Sequence, residues 1–184
     1  MAAQAGYSGT PLPRKLGIKP GDAVAILGGP ETVTAEVAGV PGLPPVRRAL
    51  TGDDPLDVIV VFVTRRADLA GQLAGLRARM APAAGLWVAW PKRSSGVSTD
   101  MTDHVVREIA LPTGLVDNKV CAIDPTWTGV RLVIRRELRP GGRGQLSSSG
   151  VPTNTPSASR YSSSCSPFGS RKYMLSSTPR SGPR

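Results

Sequence analysis

The stretch between Leu16 and Glu31 constrains the fold more than any other, because two turns enclose a short apolar run. Ala23 to Leu27 is continuous and apolar, and it is bounded by glycine, aspartate and proline. Such a run is typical of a strand buried on both faces, as in a parallel sheet. Pro30 suits the first position of a helix, where its missing N–H costs nothing. We therefore predict a strand, a glycine turn and a helix over 31–38, the usual first unit of an α/β domain that binds a cofactor.

Apolar runs and amphipathic stretches alternate along the rest of the chain. Further strands are predicted at 46–50, 57–63, 86–90, 115–123 and 130–136. Helices are predicted at 14–18, at 65–80 with Thr64 as N-cap, and at about 100–111 with Thr99 or Ser98 as N-cap. The last two strands are joined by a connector too short for a parallel crossover, which indicates an antiparallel hairpin. The predicted fold is a single Rossmann-like α/β domain with a mostly parallel sheet and a C-terminal antiparallel hairpin.

Charge divides the chain into segments of different character. All 13 acidic residues lie in residues 1–139, whereas residues 140–184 carry six basic residues and no acid. Serine, proline, glycine and arginine dominate that C-terminal segment, which cannot bury enough apolar surface to offset its ordering entropy. We predict an N-terminal arm at 1–22, the Rossmann-like domain at 23–139 and a disordered basic tail at 140–184. Such a tail favours weak, sequence-independent contact with nucleic acid.

Several functional classes lack support in the sequence. The two cysteines, Cys121 and Cys165, have no metal-ligand spacing, and His104 is the only histidine, so neither a metal nor a catalytic group is assigned. The N-terminus has no charged or apolar signal region, and the longest apolar run, Val58 to Val63, is too short to cross a bilayer. We expect a cytoplasmic protein that makes no membrane contact.

Two segments are candidates for binding an anion. Gly28, Gly29 and Glu31 surround the predicted start of a helix, where backbone N–H groups favour negative charge. The second segment combines cations, hydroxyls and glycine after the strand at 86–90, where ligands of open α/β sheets bind. Its candidate residues are Lys92, Ser95, Gly96 and Thr99. The alternatives are a structural turn and a solvated loop.

Two aromatic residues and one charged pair are placed by strand alternation. Trp87 and Trp90 are three residues apart, so they should point to opposite faces of one strand, with one in the core and the other at a pocket mouth. Asp117 and Lys119 are two apart, so they should share a face, where they could form an ion pair.

The sequence resembles a family of small bacterial proteins known as domain of unknown function 3052. The resemblance covers nearly all of residues 5–136. It rests on unusual strings in the same order, at 6–12, 15–21, 86–92, 95–97, 105–109, 114–124 and 127–129. The string at 114–124, for example, is Gly-Leu-Val-Asp-Asn-Lys-Val-Cys-Ala-Ile-Asp. The family name implies no reaction, cofactor or substrate.

A looser resemblance links residues 16–30 to the first motif of class I methyltransferases, which use S-adenosylmethionine (SAM). The resemblance implies a strand that ends in an acidic residue and a glycine-rich loop, and a ribose-binding carboxylate after the second strand. This chain has Ile26 where the acid is expected, and the ribose position falls on Asp53 or Asp54.

The sequence therefore favours a non-catalytic module that binds an anionic small molecule or a protein partner, without an assigned cofactor. The alternatives are a degenerate SAM-dependent methyltransferase and nucleic-acid binding through residues 140–184.

Overall fold

A computed structural model describes residues 9–139, which form a five-stranded α/β sheet with helices on both faces. The strands are β1 (Val24–Leu27), β2 (Leu56–Phe62), β3 (Met80–Pro91), β4 (Leu115–Ala122) and β5 (Trp127–Ile134). The helices are α1 (Leu12–Leu16), α2 (Glu31–Ala38), α3 (Arg66–Ala78) and α4 (Asp103–Ala110). The predicted tail at 140–184 lies outside the described residues.

The sheet has the order β1-β2-β3-β5-β4 and is open. β1, β2 and β3 are parallel neighbours, while β5 runs antiparallel to both β3 and β4. Four of the five strands therefore point in one direction, and their carboxyl ends meet at one edge of the sheet. We refer to this edge as the carboxyl edge and to the opposite one as the amino edge.

Each face of the sheet carries its own hydrophobic layer. Leu12, Leu16, Val33 and Val37, from α1 and α2, pack on one face together with Trp87. The opposite layer contains Trp90 and the buried residues of α3 and α4. The two tryptophans thus point to opposite faces, as the strand alternation predicts.

β3 begins six residues earlier than predicted, so Pro82 lies in a strand and does not end α3. The reason is an irregular register: Met80 pairs with Leu56, but the next pair with β2 is Gly85 with Val58. The residues between them are unpaired in that ladder, so Pro82 is not required to donate a hydrogen bond.

Three predicted helix starts are wrong. Arg65 and not Thr64 occupies the N-cap of α3, because the Thr64 carbonyl accepts a hydrogen bond from Thr99 Oγ1 at 2.7 Å. The N-cap of α4 is Thr102, whose Oγ1 accepts from the Val105 N–H at 3.2 Å. α1 also starts early, at Leu12, because Pro13 fits a first helical turn.

The predicted strand at 46–50 is reduced to a single bridge between Arg47 and Ala25. The Arg47 backbone makes two hydrogen bonds to β1, to Val24 at 2.9 Å and from Ile26 at 2.8 Å. Its side chain bonds to the Thr51 carbonyl and to Asp54. The segment at 46–50 therefore pairs with β1 at Arg47 alone, and the side chain of Arg47 bonds to the turn that follows.

None of the helices in residues 9–139 combines the length and the apolar character that a membrane crossing requires.

Candidate functional site

The glycine turn after β1 is packed closely against the end of β2. Gly28 has a φ of 69°, and a Cβ at Gly29 would lie 2.6 Å from Cε2 of the Phe62 ring. That ring also packs edge-on against Trp127, with 5.0 Å between the ring centroids. Close packing on Phe62 thus accounts for Gly29 without a ligand.

Glu31, the third candidate at this turn, is engaged in an exposed ion pair with Arg48. The hydrogen bond from the Arg48 guanidinium lowers the pKa of Glu31. The carboxylate is therefore ionised and paired with a cation.

Asp53 and Asp54 lie at the amino edge, away from the glycine turn. Both precede β2, and Asp54 accepts a hydrogen bond from Arg47 at 3.0 Å while its carbonyl accepts from Arg79 at 2.7 Å. Arg79 directly precedes β3, which fixes this turn at the starts of the parallel strands. The structure thus does not bring the two aspartates together with Gly28 and Gly29.

Most of the polar groups described in the loop at 92–99 form hydrogen bonds with the loop or with its neighbouring strand end. Ser95 Oγ donates to the Lys92 carbonyl at 2.7 Å, and Gly96 follows in a left-handed conformation. Thr99 Oγ1 bonds to the carbonyl of Thr64, after β2. The glycine turn packs on Phe62 and this loop bonds to Thr64, so the end of β2 lies between the two candidate segments.

A cleft of about 470 Å³ opens at the carboxyl edge, between the end of β3, the start of α4 and the last two strands. Its lining residues are Trp90, Pro91, Lys92, Arg93, Met101, Thr102, Asp103, Val120 and Thr128. Trp90 and Met101 are buried in the core below it, whereas Val120 is 54% exposed. The cleft is therefore apolar at its base and partly open to solvent.

The charges around this cleft are mainly positive. Lys92 Nζ donates to the Asp124 carbonyl at 2.6 Å, and Arg93 is exposed and forms no salt bridge within residues 9–139. The one lining carboxylate, Asp103, is 2.8 Å from Arg107, whose hydrogen bond lowers the pKa of Asp103. Asp103 is thus paired with a cation, and Lys92 and Arg93 form a positive rim over the apolar base.

Arg107 also bonds to Asp117 at 3.0 Å, so the predicted pair of Asp117 with Lys119 is wrong. A bulge between these two residues shifts the register, so that Asp117 is opposite Leu132 and Lys119 is opposite Arg131. One extra residue in a strand turns the following side chain to the other face, which separates the two charges.

Two other candidates from the sequence, His104 and Cys121, do not line the cleft. His104 is exposed on α4, and burial raises the pKa of the half-buried Cys121 thiol. Within residues 9–139, no group of three or more histidine, cysteine or carboxylate side chains is placed to hold a metal ion.

Sequence reasoning identified Lys92 and placed one of the two tryptophans, Trp87 or Trp90, at a pocket mouth, but it missed Met101, Val120 and Thr128. The usable signal was position, because Val120 lies near the carboxyl end of β4 and Met101 shortly precedes α4. Thr128 lies at the start of β5, which reaches the same edge because it is antiparallel to its neighbours. Which residues share the cleft depends on the pairing of β3, β5 and β4.

No family model matches the chain, and no curated protein matches it. Among solved structures, a SAM-dependent methyltransferase from Aquifex aeolicus is similar at 15% identity and a TM-score of 0.47, over 66% of this chain and 87% of that chain. Aeropyrum pernix fibrillarin with natively bound S-adenosyl-L-methionine is similar at 15% identity and a TM-score of 0.48, over 67% and 69%.

A putative methyltransferase from Thermoplasma acidophilum is similar at 10% identity and a TM-score of 0.45, over 70% of this chain and 76% of that chain. The solved structures similar to this chain thus include SAM-dependent methyltransferases. Membership of the domain of unknown function 3052 family stays a prediction.

Proposed function

We propose that this chain is a non-catalytic module that binds a small anionic molecule with an apolar body in the cleft after β3. The observation that carries the proposal is the combination of an apolar base, formed by Trp90 and Met101, with the cationic rim of Lys92 and Arg93. An aromatic or aliphatic group would cover the base, while its anionic group would face the exposed guanidinium of Arg93.

The hydroxyls at this cleft support a binding role over a catalytic one. Thr102 Oγ1 caps α4, and Thr128 Oγ1 donates to the Cys121 carbonyl at 3.2 Å. Asp103 is held by Arg107 and is ionised, so it is a weak base that already accepts hydrogen bonds. Among the described lining residues, no hydroxyl therefore lies against a free base that could activate it.

Phenyl phosphate tests this proposal because it joins an apolar ring to a phosphate group. Titration of the full chain should shift the NMR signals of Trp90, Met101 and Thr128, whereas neutral benzyl alcohol should bind more weakly. A charge-assisted hydrogen bond contributes about 1.5–3 kcal/mol, so Arg93→Gln should weaken phenyl phosphate binding by about tenfold or more.

Lys19→Gln provides a charge-matched control, because Lys19 is exposed and lies in the turn after α1. It should bind phenyl phosphate as the unchanged chain does. Equal weakening by Arg93→Gln and Lys19→Gln would contradict the assignment to the cleft, since general attraction to a basic protein would then account for binding.

SAM binding at the glycine turn is the second candidate. Its support is the position of the turn, which lies between β1 and α2 at the carboxyl edge, with Gly28 and Glu31 exposed. Ile26 is buried and supplies no carboxylate, and Asp53 and Asp54 lie at the amino edge. Glu31 is therefore the acidic residue that lies at this turn.

The same NMR experiment separates the two candidates. SAM should shift the signals of Gly28, Gly29 and Glu31 if this turn binds the methyl donor, and Glu31→Gln should reduce the effect. Shifts confined to Trp90, Met101 and Thr128 with phenyl phosphate, and none with SAM, support the binding module alone.

A further inference from the structure

A row of large side chains crosses three strands on the face of the sheet that carries α1. Trp87 on β3 is opposite Arg131 on β5, and Arg131 is opposite Lys119 on β4. Directly opposed residues project to the same face. Lys119 Nζ lies 6.0 Å from the centre of the Trp87 ring, so the side chains of Lys119 and Trp87 approach each other on this face.

The two cations of this row are next to each other, although like charges in opposed positions destabilise a sheet. Lys119 Nζ donates to the carbonyl of Lys15 at 2.8 Å, and Arg139 Nε donates to the carbonyl of Ile134, near the end of β5, at 2.9 Å. Burial and, to a smaller extent, the charge of Arg139 lower the pKa of Arg131. Within residues 9–139, none of Lys15, Lys119, Arg131 and Arg139 forms a salt bridge. We call Lys119, Arg131 and Arg139 the cationic strip.

The fold makes room for the guanidinium of Arg131. A Cβ at Gly85 would collide with Arg131 Nε and would lie 2.9 Å from one of its terminal nitrogens, so the guanidinium occupies this position because residue 85 is glycine. Arg131 Nε is buried and has no hydrogen-bond partner. The guanidinium of Arg131 therefore lies against the backbone of β3, and its Nε donates no hydrogen bond.

We propose that the cationic strip binds the phosphate group of a small phosphorylated molecule, at a site distinct from the cleft after β3. A half-buried cation without an anionic partner is costly, and a bound anion removes that cost. The guanidinium fork matches phosphate oxygens in two parallel hydrogen bonds, and Lys119 and Arg139 supply further charge for a dianion.

Inorganic pyrophosphate is a suitable probe, because it carries the phosphate chemistry without an apolar body. Calorimetric titration of the full chain at fixed ionic strength should give one dominant site. Arg131→Gln should weaken that site at least tenfold, and Lys119→Gln should weaken it several-fold, since each removes a charge-assisted contact. Lys119 is exposed, so its replacement leaves the core intact.

Thermal unfolding without a ligand provides a second measurement. Arg131→Gln should leave the melting temperature unchanged or raise it, because it removes repulsion between neighbouring cations. A fall in melting temperature together with unchanged pyrophosphate affinity would assign Arg131 a structural role and overturn the proposal.

A control variant and a cleft variant locate the bound anion. Lys19→Gln, the control, should not change pyrophosphate binding, whereas Arg93→Gln reports on binding in the cleft after β3. If Arg93→Gln abolishes binding while Arg131→Gln does not, the anion binds in the cleft and the strip is not a site. If all four variants bind alike, the probe is attracted by overall charge, which also overturns the proposal.

Discussion

Two glycines of this chain, Gly29 and Gly71, differ in how closely their surroundings are packed. Gly29 faces the Phe62 ring so closely that an added Cβ would meet Cε2 at 2.6 Å and Ile26 Cγ2 at 3.1 Å. Gly71, in the middle of α3, has no atom within 4 Å of the same hypothetical Cβ. The first glycine is required by packing, while the second is an open helical position.

Replacing these two glycines by alanine should therefore give stability changes of opposite sign. Gly29→Ala should destabilise the fold by about 1–3 kcal/mol, because the ring of Phe62 must move away from Trp127. Gly71→Ala should stabilise it by roughly 0.5–1 kcal/mol, because alanine has the higher helix propensity. Urea unfolding of both variants measures the difference, and equal effects would show that Phe62 relaxes freely.

At the scale of elements, the first residue of a helix depends on the N-cap hydrogen bond, and the sequence pattern did not identify the residue that makes it in α4. Residues 98–102 contain four residues of the types that cap helices, Ser98, Thr99, Asp100 and Thr102. Thr99 donates to the Thr64 carbonyl and also accepts from the Met101 N–H, and Asp100 accepts from the Arg66 N–H, whereas Thr102 caps α4. The cap is thus decided by a contact with the end of β2, far away in the chain.

Thr102→Ala should cost about 1 kcal/mol of stability, because it leaves the Val105 N–H without its side-chain acceptor. Ser98→Ala is the matched control and should change stability by less than about 0.5 kcal/mol, as expected for an exposed position away from special contacts. The free energy of unfolding in urea tests both. A larger loss from Ser98→Ala than from Thr102→Ala would contradict the assignment of the cap.

At the scale of the whole molecule, one sheet forms the inner wall of both hydrophobic layers. Trp87 lies in the layer under α1 and α2, where its Nε1 donates to the Leu16 carbonyl at 2.9 Å. Trp90 lies in the layer under α3 and α4. Loss of β3 would expose both layers at once, so they should unfold together.

Tryptophan variants can follow the two layers separately. W90F leaves Trp87 and Trp127 to report on one layer, and the double variant W87F/W127F leaves Trp90 to report on the other. In each protein the urea transition by fluorescence should coincide with the transition by far-UV circular dichroism, as in two-state unfolding. A fluorescence transition that precedes the dichroism transition in one variant only would show that its layer opens independently.

The sequence by itself determined the elements whose signals are local. The apolar runs predicted β1 and β2 within a residue or two at each end, and Pro30 with the following residues predicted α2 at its exact bounds. The opposite orientations of Trp87 and Trp90 also followed from alternation alone. These features depend on neighbours within one strand or turn, where side-chain pattern and backbone geometry are directly linked.

Only the tertiary structure decided how these elements meet. The register gap after Met80 allows Pro82 to lie in β3. The bulge in β4 lets Asp117 form its ion pair with Arg107 and places Lys119 opposite Arg131. The cleft likewise combines residues from β3, α4, β4 and β5. Register and edge position arise from pairing between distant strands, and no local pattern of residues contains that information.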